Sequence, residues 1–188
     1  SGMITLLDGL DYEHATGYFL TIEARDGGDP PLQTRCFCNI TVTDENDNAP
    51  TFSQPSYSSL INEAAQVGEN VAVVTATDID SAANGQVNYR ITHGDRHNQF
   101  QIDKKSGIIT LANLLDREMV SSYVLEVEAM DAGNPPKSSS VLIHVDVSDA
   151  NDNPPIFSGS NYTVYVQEDR PFGHILLRLE VTDADESP

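Results

Sequence analysis

The chain has 188 residues, of which 39% are hydrophobic, a formal net charge of −19 and a sequence pI near 4.2. That length suits one to two domains, and the acidity argues against nucleic acid and anionic membrane surfaces as partners while suiting a cationic partner or metal ions. No apolar run approaches the roughly 18 residues of a membrane span, and the opening SGMITLL lacks the basic start and small-residue cleavage site of a signal peptide, so a piece of a longer protein is expected.

In chain order, the apolar residues recur with period two, the mark of half-buried strands. An early segment, YFLTIEARDGGDPP, is followed by one that puts Cys36, Cys38, Ile40 and Val42 on a single face. Further strands are predicted in VAVVTATD, VNYRIT and FQIDKKSGIITL. In SYVLEVEA, Tyr123, Leu125, Val127 and Ala129 share one face; in SVLIHVDVSD, Val141, Ile143, Val145 and Val147 do the same. YTVYVQ and HILLRLEVTD complete the set. Turn signals separate them at Ala83-Asn84-Gly85-Gln86, Lys105-Ser106-Gly107 and Gly133-Asn134-Pro135-Pro136. No segment keeps a 3.6 period for long. About seven short strands per roughly 105 residues predicts an all-β chain built of antiparallel, Greek-key β-sandwiches.

Cys36 and Cys38 are the only cysteines. Two positions apart on a strand they face the same way, so a disulfide between them is strained, and two small buried hydrophobes are expected instead. The sequons Asn39-Ile40-Thr41 and Asn161-Tyr162-Thr163 favour an extracellular chain glycosylated at Asn39 and Asn161. Asn39 is expected on the outer face.

The chain also repeats itself. DENDNAP at 44–50 is answered by DANDNPP at 149–155, so that residue 44 falls on residue 149, an offset of 105. At the same offset SGMITLLDGLDYE falls on SGIITLANLLDRE, YFLTIEARDGGDPP on YVLEVEAMDAGNPP, and VTATDID on LEVTDAD. A period this long is the size of one small domain rather than of a solenoid repeat. Residues 1–48 are read as the C-terminal part of one repeat, 49–153 as a complete repeat and 154–188 as the N-terminal part of a third. The two partial repeats lack the strands that close a sandwich and are expected to fray or to pair between molecules.

The overlay sorts the acids. Asp8, Asp29 and Glu45 become Asn113, Asn134 and Ala150, whereas Asp11, Glu13, Asp26, Asp44, Asp47, Glu63, Asp78 and Asp80 recur as Asp116, Glu118, Asp131, Asp149, Asp152, Glu168, Asp183 and Asp185. Glu23 recurs as Glu128 but lies mid-strand on the polar face, and that pair is read as solvated. Carboxylates about 4 Å apart repel by on the order of 4 kcal/mol at an effective dielectric near 20, and no basic residue recurs beside them. Carboxylate, amide and carbonyl oxygens without His or Cys favour calcium over zinc or copper. An EF-hand loop is excluded, because DIDSAANGQVNY carries Ala83 at its sixth position and Tyr89 at its twelfth.

LDRE, AMDAGNPP, DANDNPP and TDAD, in this order and on this period, resemble extracellular cadherin repeats, a cadherin-like, immunoglobulin-like sandwich fold. The resemblance covers essentially the whole chain, and YFLTIEARDGGDPPL looks most like giant Fat-type cadherins or protocadherins. It implies about three calcium ions at each intact junction between repeats. Carried over residue by residue, it assigns to the first junction Asp11, Glu13, Asp44, Asn46, Asp47, Asn48, Asp78, Asp80 and Asp131, with the Glu45 and Asn84 carbonyls. To the second it assigns Glu63, Asp116, Glu118, Asp149, Asn151, Asp152, Asp183 and Asp185, with the Ala150 and Asn153 backbone. Two nearly complete sites are expected at the second junction and one at the first. Tyr12 stands where Arg is common and Ala82 where Gly is common. The implied function is calcium-dependent cell–cell adhesion outside the cell, with another cadherin ectodomain as partner, no nucleic acid, and a membrane-anchored parent.

Three rivals are weaker. An enzyme with paired carboxylates lacks opposed geometry, since Asp11/Glu13 and Asp116/Glu118 lie two apart on one segment, and none of the five histidines recurs. A merely solvated acidic surface fits Asp8, Asp29, Glu69 and Asp95 but not eight recurring positions. A non-adhesive secreted or bacterial cadherin-like module, or a carbohydrate-binding one, is the remaining alternative, and no aromatic surface platform is visible in the sequence to support it.

Overall fold

The computed structural model describes residues 2–185. Its strands are β1 (Gly17–Arg25), β2 (Gln33–Thr41), β3 (Thr51–Phe52), β4 (Tyr57–Asn62), β5 (Asn70–Val73), β6 (Ala76–Thr77), β7 (Asn88–His93), β8 (Phe100–Ile102), β9 (Ile108–Leu111), β10 (Ser122–Met130), β11 (Ser138–Ser148), β12 (Ile156–Phe157) and β13 (Val181–Thr182). One sheet has the order β4-β11-β10-β7; facing it, β5-β9-β8 and the short pair β3-β6 form the other layer. This is the expected all-β sandwich, in which every sheet contact is antiparallel except β4 against β11.

The core sits between those layers. Val74, Ile109, Leu111, Leu125, Val127, Ala129, Ile143 and Val145 are fully buried, and the alternation read in β10 and β11 is the one observed. Phe100 packs edge-on against Tyr123 with ring centroids 5.0 Å apart. The buried Tyr89 hydroxyl accepts from the Ala76 N–H at 2.7 Å and donates to the Ala76 carbonyl at 3.2 Å, so its polar tip is satisfied inside the core.

Several expectations are corrected. Cys36 is exposed and Cys38 half-buried, both as free thiols. They do occupy one face of β2, but no facing sheet covers the β1–β2 hairpin among the described residues, so position on the apolar face does not bring burial. YTVYVQ forms no strand, and of HILLRLEVTD only Val181–Thr182 does, paired with Ile156–Phe157. A strand is assigned where a ladder partner exists, and these residues have none within the described chain. Glu23 is exposed, as expected of a solvated strand residue, whereas Glu128 is half-buried. Glu23 binds Arg35 at 2.8 Å, and Glu128 is bound by Arg90, which holds its carboxyl below the usual range despite partial burial. Asp95 is a loop staple rather than free surface, accepting from the N–H groups of Gln99 at 2.8 Å and Phe100 at 3.0 Å.

Candidate metal centre

The topology dictates where the acids meet. Because β4 and β11 run parallel with Asn62 opposite Ser148, the residues that follow them, Glu63 and Asp149, emerge side by side. β10 runs antiparallel to β11, so the turn that precedes it, carrying Asp116 and Glu118, lies at that same end. The β1–β2 hairpin does the same for the first junction: Gly17 pairs with Thr41, which brings the Asp11–Glu13 turn next to Asp44.

Three groups of carboxylates converge. Ligand oxygens of Glu13, Asp44 and Asp80 lie within 4.8 Å of one another; so do those of Glu63, Glu118 and Asp149, and those of Glu118, Asp152 and Asp185. The first group spans residues 13–80; the other two share Glu118 and make one continuous acidic centre.

The hydrogen bonds around the two centres are copies. Asp11 accepts from the His14 N–H at 3.0 Å and Asp116 from the Met119 N–H at 2.9 Å, each fixing the turn that presents the following Glu. The Asn48 side chain donates at 2.7 Å both to Asp47 and to Asp80; Asn153 donates at 2.8 Å both to Asp152 and to Asp185. The Asn48 and Asn153 N–H groups reach the other carboxylate oxygen of Asp80 at 3.2 Å and of Asp185 at 3.1 Å. Asp78 and Asp183 accept from the N–H groups of Asp80 and Asp185. The Glu45 carbonyl accepts from the Asp47 N–H at 2.9 Å.

Each centre has its own anchor. Glu63, 4% exposed, accepts from the N–H groups of Arg117 and Ala150, both at 2.6 Å, and so clamps the 116–118 turn to the linker. At the first centre Asp131, 2% exposed, accepts from the backbone N–H groups of Gly133 and Lys137 and shapes the β10–β11 loop that meets the linker. Asn46 donates to the Pro135 carbonyl of that loop at 2.6 Å, and Lys137 Nζ donates to the Asp47 carbonyl at 2.5 Å. Asn84 turns its side-chain amide onto Asp44 at 3.0 Å. Asn151, by contrast, is exposed.

The electrostatics are those of an acid cluster short of cations. A backbone hydrogen bond pulls the Glu13 carboxyl down, but desolvation and the charges of Asp47, Asp80 and Asp11 prevail and raise it. Desolvation, with Glu63, Asp152 and Asp149, raises Glu118; desolvation, with Glu63, Asp185, Asp116 and Asp149, raises Asp152. Asp44 Oδ1, Asn46 Oδ1 and Asp78 Oδ2 are buried without a hydrogen-bond partner, which is costly unless something positive completes them. Hard oxygens with no nitrogen or sulfur fit calcium.

Sequence reasoning missed three contributors. The Arg117 guanidinium lies 3.5 Å from Asp149 and 3.6 Å from Glu118, with its side chain 14% exposed. Tyr12 holds that place in the first repeat, so a search for recurring residues passes over it. Gly133 and Lys137 read as an ordinary turn, and only their approach to Asn46 and Asp47 gives them a role.

An all-β sandwich that gathers acids at both ends, beside two copies of one Asp/Asn linker, defines a class of tandem β-sandwich module. Residues 57–148 match the cadherin domain family. The chain is 48% identical over its full length to a Drosophila melanogaster protein described as "Fat-like cadherin-related tumor suppressor homolog", and 43% identical, again over the full chain, to human "Protocadherin Fat 1". It spans 4% of the length of either relative. Its fold superposes on the crystal structure of mouse Cadherin-23 EC22-24 with a TM-score of 0.89 at 33% identity, covering 96% of this chain and 57% of that one. A protocadherin gammaB7 EC3-6 cis-dimer structure matches with a TM-score of 0.84 at 31% identity, over 95% of this chain and 46% of that one. The chain belongs to the cadherins and is similar to Fat-type cadherins and protocadherins. By this membership it is an extracellular cadherin module. No helix among the described residues is long and apolar enough to cross a membrane.

Proposed function

We propose that calcium binds at the two junctions and turns a string of repeats into a rod within an adhesive ectodomain. The repeats run 1–48, 49–153 and 154–188. An intact junction takes about three ions. This chain supplies two at the second junction, through Glu63, Asp116, Glu118, Asp149, Asp152, Asp183 and Asp185 with Asn151 and the backbone of Ala150 and Asn153. It supplies one at the first, through Asp44, Asn46, Asp78, Asp80 and Asp131 with the Asn84 carbonyl; Asp11, Glu13, Asp47, Asn48 and the Glu45 carbonyl form the part of that junction left incomplete. The observation that carries this reading is the trio of buried, unpartnered oxygens on Asp44, Asn46 and Asp78 inside an acid cluster duplicated at a fixed offset.

Without metal, like charges splay the junctions; with it, each linker is held to both neighbouring repeats. Extracellular calcium modules bind at roughly 10⁻⁴ to 10⁻³ M, so such sites fill outside the cell. The membrane-anchored parent then presents these repeats to another cadherin ectodomain. Thermal unfolding of the chain in EDTA and in rising calcium tests this, since a ligand of the folded state raises the midpoint with concentration. A rise over the sub-millimolar to millimolar range that disappears in Asp149→Ala/Asp152→Ala supports the junction; an unchanged midpoint sinks the rod for this chain.

A further inference from the structure

On the outer face of the β1–β2 hairpin, Phe19 and Phe37 stack with ring centroids 5.4 Å apart and an interplanar angle of 24°. They are 65% and 68% exposed. The exposure belongs to the face itself, because the residues at the same places in the β10–β11 hairpin, Val124 and Leu142, are also exposed, at 48% and 47%. Two bare aromatic rings in contact are a costly thing to present to water.

The register says what lies beside them. Asn39 is the direct cross-strand partner of Phe19, and Phe37 stands two residues before Asn39, on the same side of the pleat. Thr41, the third residue of the Asn39-Ile40-Thr41 sequon, lies opposite Gly17, so no side chain stands across from its hydroxyl. The Glu23–Arg35 ion pair closes the far end of the same face. In the β10–β11 hairpin the corresponding positions are Val124, Leu142, His144 and Asp146, and both the aromatics and the acceptor asparagine are gone together. The second sequon, at Asn161, lies outside any strand and has no such pair beside it.

We propose that Asn39 carries an N-linked glycan whose first N-acetylglucosamine lays its apolar C–H face on the Phe19–Phe37 pair. A pyranose ring presents a row of axial C–H groups on one side and hydroxyls at its edge, so it covers the rings while remaining hydrated. The sugar thereby joins the hairpin as a third packing partner on a face that no strand covers. The inference draws on the extracellular setting of the chain and is independent of calcium.

The test uses the whole chain secreted from a glycosylating host, with its glycans trimmed enzymatically to the single N-acetylglucosamine. Mass spectrometry reads occupancy at Asn39, and NMR reads the sugar protons. The expected result is an occupied Asn39, sugar C–H resonances displaced upfield by the aromatic ring currents, and cross-relaxation to the rings of Phe19 and Phe37. In Phe19→Val/Phe37→Val, which keeps strand-forming residues, the upfield displacement disappears. A merely structural role for the two rings is separated by comparing the loss of thermal midpoint from that double substitution in the glycosylated chain and in Asn39→Gln: contact with the sugar makes the loss larger in the glycosylated chain. An unoccupied Asn39, sugar resonances at their free-solution positions, or equal losses in the two backgrounds overturns the proposal. The NMR arm needs no substitution and stands if the variants fail to fold.

Discussion

Asn46 and Pro135 lie 89 residues apart in the chain and meet at 2.6 Å, the amide of the linker donating to the carbonyl of the loop between β10 and β11. The linker is thus docked onto the repeat that follows it. Gly133 makes room for this: a Cβ there would stand 2.4 Å from Asn46 Nδ2 and 2.8 Å from Asn84 Oδ1. Gly133→Ala is expected to push Asn46 away and to remove the ion at the first junction while sparing the second. Calcium titration by calorimetry checks this as a lost binding event. Gly28→Ala is the control, since its nearest neighbour is Asp26 Oδ1 at 3.3 Å.

Ala82 has φ +50°, a left-handed conformation that an L side chain adopts at a cost of about 1–2 kcal/mol. Ala82→Gly removes that cost and returns part of it as unfolded-state entropy. The expected gain is about 0.5–1 kcal/mol, read from the denaturant midpoint at constant slope. A loss of stability would show that the strain is not stored at this residue.

Glu63 satisfies two backbone donors at once. Glu63→Ala orphans both and is expected to cost about 2–6 kcal/mol even in EDTA, from roughly 1–3 kcal/mol for each buried unsatisfied group. Glu63→Gln keeps one acceptor and recovers part of that loss, yet binds calcium more weakly because the charge is gone. Measuring both variants with and without calcium separates the structural role from the ligand role.

The raised carboxyls of Glu13, Glu118 and Asp152 fix the sign of the pH response. Each binds its proton more tightly folded than unfolded, so its stabilising contribution is complete below the unfolded value and is lost as pH rises through the folded one. In EDTA the thermal midpoint is expected to rise on acidification from neutrality into the upper carboxylate range. Asp103, held down by its hydrogen bonds to Ser106 and Lys105, and Glu128, held down by Arg90, oppose this at lower pH, below the ordinary carboxylate value. In calcium the same protons compete with the metal, so the calcium-induced rise shrinks as pH falls.

Leu125 is fully buried at the centre of β10, and Leu125→Ala is expected to cost about 2–5 kcal/mol. Cys36→Ala, at an exposed position on a face of the same pattern, is expected to change stability by under about 0.5 kcal/mol. Chemical denaturation of the two variants distinguishes a covered apolar face from an uncovered one.

Much of the architecture and the acid set was legible before any coordinates. Period two in SYVLEVEA marked the face that Leu125 and Val127 bury, and the offset of 105 kept Glu13, Asp44 and Asp80 among eight recurring pairs in a chain of 29 acids. Burial of Cys36 was misread, because alternation reports which side of a strand is apolar and not whether anything packs on it. Asp95 was misread because an acceptor's partners were N–H groups four and five residues on in the same loop, which composition does not reveal.

By itself the sequence marked the all-β class, the apolar faces of β10 and β11 and the recurring acids, because side-chain polarity and spacing are local properties written along the chain. Only the tertiary structure decided which acids touch, that Arg117 stands among them, and that Phe19 faces Asn39. Those depend on the parallel register of β4 with β11 and the antiparallel register of β1 with β2, and register is set by contacts between residues far apart in the chain.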